Sequence, residues 1–262
     1  MGRNMFRLII FTENEPHFVL PVVGNICNEL SCEMTIAAIV VSEKFGNRSV
    51  WSNIRKFYPL MRLKGLILTT IDDMRLKILG AIRKKYVHSL RSMSRGHKIP
   101  IYFTQDVNRA DFIETLKSLN PDLGVSISFG QIFKPNTIHI LPKGLINLHA
   151  SLLPTYRGLM PNFWVLLNRE KETGITIHYI DEGIDTGRII FQERMPIPPQ
   201  VTYYKLVKIS KEVGGKCLIN IIRKIQSGND VTTFPVSGKG TYYGFPQKKH
   251  FNAFWKQGLR YR

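Results

Sequence analysis

Residues 144–158 read GLINLHASLLPTYRG, and residues 185–187 read DTG. The apolar start of the first stretch predicts a buried β-strand over Gly144–Leu148. Successive side chains of a strand point to opposite faces, so Asn147 and His149 share one face. Polar side chains at the end of a core strand are costly unless they have hydrogen-bond partners or a function. This stretch therefore indicates both a core strand and the place where the chemistry of the chain lies.

An amide, an imidazole and a carboxylate are the groups that acyl transfer to an amine needs. Asn147 and His149 can donate hydrogen bonds to the oxygen that gains negative charge. Asp185 can hold the protonated His149 or a water molecule and help to remove the amine proton. The alternative interpretation is structural, namely a capping asparagine and a buried histidine with all its hydrogen bonds satisfied.

Four short motifs carry a resemblance to a known family, and in chain order they are Asn147-x-His149, Ser151-Leu152-Leu153-Pro154, Asp181-Glu182-Gly183 and Asp185-Thr186-Gly187. Their joint spacing resembles the signature of formyltransferases that use 10-formyltetrahydrofolate. The similarity runs from about residue 6 to residue 226 and is strongest over 121–193. The resemblance implies transfer of a formyl group to a primary amine, with Asn147, His149 and Asp185 as the catalytic residues.

The same resemblance implies a folate pocket with two walls. The members of the first wall lie after a predicted strand and are Phe129, Gly130, Gln131 and Ile132. The members of the second lie just before the catalytic aspartate and are Asp181, Glu182, Gly183 and Ile184. Glycine suits the close approach of backbone to a flat ring, although both glycines also fit ordinary turns. Ser151 and Arg157 are candidate contacts for the acceptor, and a solvated loop arginine is the alternative for Arg157.

Strands and helices alternate along the chain, beginning with a strand over Phe6–Phe11, a helix over His17–Leu30 and a strand over Met34–Val41. This pattern predicts an α/β fold with a doubly wound, mostly parallel, Rossmann-like sheet. The resemblance implies that the sheet is of the formyltransferase type. No Gly-x-Gly-x-x-Gly follows the first strand, so a dinucleotide site is not predicted. We expect a catalytic domain over residues 1–200. Residues 201–262 are predicted to form a short C-terminal extension, with a helix over Tyr203–Gln226 interrupted at Gly214-Gly215 and then an aromatic, basic tail.

The net charge of +18 is concentrated in one region. Residues 44–98 contain 14 basic and two acidic residues, a local net charge of +12. Apolar residues run through the same region, and Asp72–Met93 predicts an amphipathic helix with a basic polar face. The region is therefore predicted to be a basic helical insertion between the second and third strands. It can bind tRNA phosphates, lie on an anionic membrane or simply be a solvated face.

The chain shows no run of 18 apolar residues and no signal peptide at its start. We therefore expect a cytoplasmic protein, with peripheral membrane contact through residues 44–98 as the alternative. Three irregularly spaced cysteines and seven histidines without ligand spacing predict a metal-free site. The sequence does not distinguish a monomer from a homodimer.

Family members formylate three kinds of acceptor. Methionyl-tRNA formyltransferases carry a further barrel domain, whereas this chain ends soon after Thr241-Tyr242-Tyr243. Glycinamide ribonucleotide formyltransferases are shorter and do not usually read Tyr156-Arg157-Gly158 in this loop. An amino sugar, most simply one linked to a nucleotide, is therefore the favoured acceptor. A methionyl-tRNA formyltransferase is the first alternative, and a non-catalytic basic binding module on the same fold is the second.

Overall fold

Strands and helices alternate throughout the computed structural model, which describes residues 5–43, 50–82, 89–229 and 231–262. The strands are β1 (Arg7–Glu13), β2 (Thr35–Ser42), β3 (Ile101–Thr104), β4 (Leu123–Ile127), β5 (Leu145–His149), β6 (Arg157–Gly158), β7 (Glu172–Tyr179), β8 (Ile189–Pro196) and β9 (Tyr242–Tyr243). The helices are α1 (Val19–Leu30), α2 (Val50–Ile82), α3 (Leu90–His97), α4 (Ala110–Ser118), α5 (Pro135–Ile138), α6 (Pro161–Leu167), α7 (Tyr203–Gln226) and α8 (Lys248–Lys256).

Seven strands form one sheet in the order β3-β2-β1-β4-β5-β7-β8. The five strands from β3 to β5 run parallel, and β7 and β8 continue the sheet antiparallel. The prediction of a doubly wound, mostly parallel sheet is confirmed. Its central strands are apolar on both faces because helices cover both faces.

Two apolar layers enclose the sheet. Helices α1, α3 and α7 pack on one face, and α4 and the residues around α5 pack on the other. A third, mainly aromatic cluster joins α2, α6, α8 and the start of α7. Helix α7 thus shares the main core with the strands, so the residues after 200 do not begin a separate core.

Helix α7 is continuous, and the predicted interruption at Gly214-Gly215 is wrong. Gly214 packs on β5, where an added Cβ would lie 2.7 Å from a methyl carbon of Leu148. Gly215 packs in the same way on Val22 of α1, at 3.1 Å. The two glycines therefore allow a close approach between helix and sheet, which outweighs their weak helix propensity.

The basic region between β2 and β3 contains α2 and α3. Helix α2 has a kink at Arg62, where φ is 53°. The predicted helix over Asp72–Met93 is helical up to Ile82, and α3 starts at Leu90 with Ser89 as its N-cap. Residues 44–49 and 83–88 of the region lie outside the described residues. Within the described part of the chain, no helix is both long and apolar enough to cross a bilayer.

Candidate active site

Strand β5 carries Asn147 and His149 on one face, at the carboxyl end of the parallel strands. In the register of the sheet, Asn147 lies between Ser126 of β4 and His178 of β7. His149 is 6% exposed, and Asn147 is half-buried. Open α/β sheets bind their ligands beyond this edge. The two polar side chains therefore lie where the fold favours a site.

Asp185 reaches β5 from the loop between β7 and β8. Its φ of 52° is in the left-handed region, which aspartate tolerates better than most side chains. Gly187 keeps this loop close to β7, because a Cβ at this position would overlap the carbonyl oxygen of Tyr179. The Asp-Thr-Gly motif thus folds the carboxylate back over the edge of the sheet.

The Asp185 carboxylate lies between two imidazole rings. Its Oδ2 is 3.5 Å from Nδ1 of His149, and its Oδ1 is 3.5 Å from Nε2 of His178. The backbone N–H of Gly158 donates to Oδ2 at 2.8 Å. The structure therefore brings the three predicted catalytic side chains together and adds His178 of β7 to them.

Burial and the neighbouring groups set the protonation states of this cluster. Burial raises the pKa of Asp185, but attraction to the two imidazoles and the Gly158 N–H outweigh burial and hold the pKa below its ordinary value. Burial lowers the pKa of His149, against the opposing attraction of Asp185. At neutral pH the pair is therefore an ionised carboxylate beside a neutral imidazole that can accept a proton.

Contacts with backbone carbonyls assign the tautomers of the two histidines. His149 Nε2 lies 2.9 Å from the Tyr156 carbonyl oxygen, so Nε2 carries the proton and Nδ1 turns its lone pair towards Asp185. His178 Nδ1 lies 2.8 Å from the Tyr179 carbonyl oxygen, which leaves Nε2 to accept from the Asn147 amide at 3.2 Å. His178 thus orients Asn147, while both ring nitrogens of His149 face protein acceptors. Donation by His149 to a substrate oxygen would require loss of the bond to Tyr156.

The loop after β5 is held by residues 241–262, here called the C-terminal segment. Strand β6 pairs with β9, and the Tyr156 N–H donates to Thr241 Oγ1 at 2.8 Å. The Tyr156 ring stacks on Tyr243 with centroids 5.4 Å apart. Arg157 Nε is buried and has no hydrogen-bond partner among the described residues. A buried donor without a partner is costly, so Arg157 is a candidate ligand contact.

Ser151, the other candidate acceptor contact, is fully buried. Its hydroxyl donates to the carbonyl oxygen of Thr155 at 3.0 Å. This geometry gives Ser151 a role in bracing the loop and leaves it no surface for an acceptor.

In the first predicted folate wall, residues 129–132, some side chains point into the protein and one points to the solvent. Phe129 stacks on Phe133 in the core, with centroids 5.0 Å apart. The Gln131 side chain is buried and ties the ends of β2 and β3 together, donating to Ser42 Oγ at 3.0 Å. Ile132 is 62% exposed. Main chain and Ile132 are therefore the parts of this wall that are open to a ligand, and Gly130 is half-buried between them.

The second predicted wall, residues 181–184, is exposed along its whole length. Asp181 Oδ1 accepts from the Gly183 N–H at 3.1 Å and from Thr186 Oγ1 at 2.7 Å. These bonds shape the turn and leave Glu182 and Ile184 on its outer surface. The carboxylate of Asp181 therefore stabilises the turn in which it lies.

Lys211 of α7 is a buried charged group at the same edge of the sheet, and it belongs to none of the sequence motifs. It is 8% exposed, and its Nζ donates to Ser128 Oγ at 2.7 Å, directly before the first folate wall. Burial lowers the pKa of Lys211, against the opposing attraction of Glu13 and Glu15. The available signal was a lysine at a position of α7 that the helical period places on the buried face.

Two depressions of the described surface lie away from the cluster around Asp185. Two shallow depressions, with volumes of about 580 and 450 Å³, are lined around Lys117 and His139 and around Tyr179 and Gly228. Neither contains a member of the cluster around Asp185. Among the described residues, no group of three or more histidine, cysteine, aspartate or glutamate side chains is arranged to hold a metal ion.

Methionyl-tRNA formyltransferases are similar to this chain in sequence. The protein from Kosmotoga olearia is 39% identical over 163 residues, which cover 62% of this chain and 52% of the relative. The protein from Clostridioides difficile is 34% identical over 172 residues, covering 62% and 56%. The chain thus spans about half the length of the curated relatives that it matches.

Solved structures share the fold at lower identity. An N-formyltransferase from Helicobacter canadensis, in complex with folinic acid and dTDP-3-aminofucose, matches with a TM-score of 0.62 and 22% identity, covering 92% of this chain and 71% of the other. Glycinamide ribonucleotide transformylase 1 from Symbiobacterium toebii matches with a TM-score of 0.61 and 15% identity, covering 90% and 96%. The formyl transferase family matches residues 76–222, a stretch that includes β5 and the Asp185 loop. The chain therefore belongs to the formyl transferase family.

Proposed function

We propose that this chain transfers a formyl group from 10-formyltetrahydrofolate to a primary amine. The observation that carries the proposal is the Asp185 carboxylate between His149 and His178, beside the Asn147 amide, at the carboxyl edge of the parallel strands. Membership of the formyl transferase family supports it. The position between two open loops gives the cluster access to a donor and an acceptor.

The two loops beside the cluster suit a folate donor. Ile132 and Ile184 are 62% and 41% exposed, and each lies next to a glycine-containing stretch of open main chain. Apolar side chains beside free backbone groups fit a flat ring with a hydrogen-bonding edge. When bound, this donor supplies an activated formyl carbon.

We assign each residue of the cluster one role in acyl transfer. One N–H of the Asn147 amide goes to His178, and we assign the other to the oxygen that gains negative charge, a contact worth about 3–4 kcal/mol of barrier. The attacking amine must lose a proton, and Nδ1 of His149 is the neutral acceptor. Asp185 then stabilises the charged imidazole across 3.5 Å. Such general-base assistance contributes about 100- to 10,000-fold. The bond from the formyl carbon to the folate nitrogen then breaks, that nitrogen takes the proton from His149, and tetrahydrofolate leaves.

The acceptor that we favour is an amino sugar linked to a nucleotide. Arg157 Nε lies beside the site without a hydrogen-bond partner among the described residues, and its guanidinium suits a phosphate group because guanidinium binds phosphate strongly. The solved N-formyltransferase with dTDP-3-aminofucose matches 92% of this chain, including the part beyond the family match. Methionyl-tRNA is the second candidate, favoured by the 39% identity to a methionyl-tRNA formyltransferase. A non-catalytic binding module is the remaining alternative, and cytoplasmic location and oligomeric state stay predictions.

The test is the release of tetrahydrofolate from 10-formyltetrahydrofolate with dTDP-3-aminofucose, glycinamide ribonucleotide or methionyl-tRNA as acceptor. We expect turnover with the nucleotide-linked sugar, reduced by about 100-fold or more in Asn147→Ala and His149→Ala. Arg157→Gln should raise KM for the sugar nucleotide and leave kcat nearly unchanged. Turnover with methionyl-tRNA alone would replace the acceptor, and no turnover with any of the three would refute the enzymatic function.

A further inference from the structure

Helix α2 turns an apolar face to the solvent. After the kink at Arg62, five large apolar side chains are 40–61% exposed, and these are Leu63, Ile67, Ile71, Met74 and Ile78. Their spacing of three or four residues places them on one side of the helix, as a stripe about 22 Å long. We call this surface the apolar stripe. A helix on the surface of a globular protein normally turns such a face towards the core.

Specific contacts hold the opposite side of α2 against the protein. Asp73 pairs with His17 at 2.9 Å, and Asp72 pairs with Arg262 at 2.6 Å. Gly65 lies directly under the ring of Tyr261, where an added Cβ would come within 2.7 Å of the ring. These contacts leave the apolar stripe facing outward, and Asp72 also lies 3.8 Å from the exposed Arg75.

Exposed basic residues flank the apolar stripe. On the helix, Lys64 and Arg75 lie about 20–40° beyond one edge of the stripe, and the side chains of both are exposed. They belong to the region of residues 44–98 with its local net charge of +12. The surface thus combines a continuous apolar band with basic residues beside it.

The combination of apolar and basic side chains favours one of the partners that could cover α2. A second copy of the chain would bring two strongly basic regions together, which repel each other. Nucleic acid would satisfy the basic residues and leave the apolar stripe in water. An anionic bilayer satisfies both, because apolar side chains enter the boundary between headgroups and acyl chains while lysine and arginine contact lipid phosphates.

We propose that α2 is a membrane-docking helix that lies in the plane of an anionic lipid surface, with the apolar stripe buried in the bilayer interface. The C-terminal segment holds the opposite face of the helix, so docking requires no unfolding of α2. This inference is independent of the formyl acceptor. It assigns the basic region a lipid partner.

The test is co-sedimentation of the full chain with vesicles of phosphatidylcholine, with or without ~30% phosphatidylglycerol as the anionic lipid. We expect binding to the anionic vesicles and weak binding to the neutral ones. The triple variant Leu63→Ser/Ile67→Ser/Met74→Ser should bind the anionic vesicles at least about tenfold more weakly. The matched control Met5→Ser/Phe234→Ser, which changes two apolar side chains that are 59% and 44% exposed outside α2, should bind like the wild type.

A second variant separates the charge contribution. Lys64→Gln/Arg75→Gln should weaken binding to anionic vesicles about 30-fold at low salt and leave far-UV circular dichroism unchanged. Equal vesicle binding by wild type and triple variant would overturn the proposal, as would absence of binding by the wild type. A wild-type dimer that the triple substitution converts to a monomer would make the apolar stripe a self-interface. An equal loss of tRNA binding in the triple variant would make it a nucleic-acid surface.

Discussion

Replacing Asp185 by asparagine removes the charge of the cluster while keeping its shape. The side-chain oxygen of asparagine can still accept the hydrogen bond from the Gly158 N–H, which is 2.8 Å long in the structure. The left-handed backbone at φ 52° also suits asparagine. The substitution therefore tests the electrostatic role of the carboxylate with little change in folding of the loop.

The size of the effect follows from the distance between Asp185 and His149. Coulomb's law at 3.5 Å with an effective dielectric constant of about 20 gives about 5 kcal/mol for the pair of charges that forms when His149 takes the proton. At 1.36 kcal/mol per factor of ten, this corresponds to a loss of about 3,000-fold in kcat. A loss of about 10⁴-fold accompanies the same substitution in a carboxylate–imidazole pair of serine proteases.

The assay for Asp185→Asn is single-turnover release of tetrahydrofolate, together with the Kd for folinic acid as a stable donor analogue. We expect the single-turnover rate constant to fall by about three orders of magnitude while Kd changes by less than about threefold. Asp111→Asn makes the same chemical change at an exposed ion pair with Arg109 and serves as the matched control. A variant that keeps more than a tenth of the wild-type rate would refute the role of Asp185 in stabilising the charged His149.

Two further predictions concern the buried titratable groups. Burial lowers the pKa of His149 in the folded chain, so the unfolded chain binds a proton at this residue first as pH falls. The contribution of His149 to the free energy of unfolding is therefore present above pH 6.5 and is lost as pH falls below it. Urea unfolding from pH 7 to pH 5 should therefore show a smaller loss of stability in His149→Gln than in the wild type, and parallel curves would contradict this. Lys211→Met should leave the free energy of unfolding unchanged or raise it, because a buried charge is removed, while KM for the folate donor rises through loss of the bond to Ser128. A variant with lower stability and unchanged KM would instead make Lys211 a purely structural residue.

The sheet and the positions of Asn147 and His149 follow from strong local signals. Strand β5 reads as apolar residues followed by Asn147 and His149, and the period of two fixes their common face. The position of Asp185 does not follow from the sheet in the same way, because Asp185 comes after β7, which runs antiparallel to β5 and ends opposite Ile146. The motifs of the resemblance predicted Asp185 beside His149, and a loop that folds back over the edge of the sheet makes the contact.

Features that depend on tertiary contacts were beyond the sequence. The glycines of α7 predict a break in the helix. Their role instead depends on packing against Leu148 and Val22, which belong to other elements. Ser151 belongs to a signature motif, yet its hydroxyl donates a hydrogen bond to a carbonyl oxygen of its own loop. The direction of the apolar stripe was equally hidden, because periodicity predicts an apolar face and does not say which way that face points.

The C-terminal segment connects the two surfaces to which we assign functions. At one end of it, Tyr243 stacks on Tyr156, next to the acceptor candidate Arg157. At the other end, the Trp255 indole N–H donates to the Pro59 carbonyl oxygen of α2 at 2.9 Å, and Tyr261 packs against Gly65. Packed cores transmit displacement because they contain little free volume. A shift of α2 on a lipid surface would therefore be transmitted to the segment that orients the acceptor loop, which places membrane docking and acceptor binding on one common scaffold.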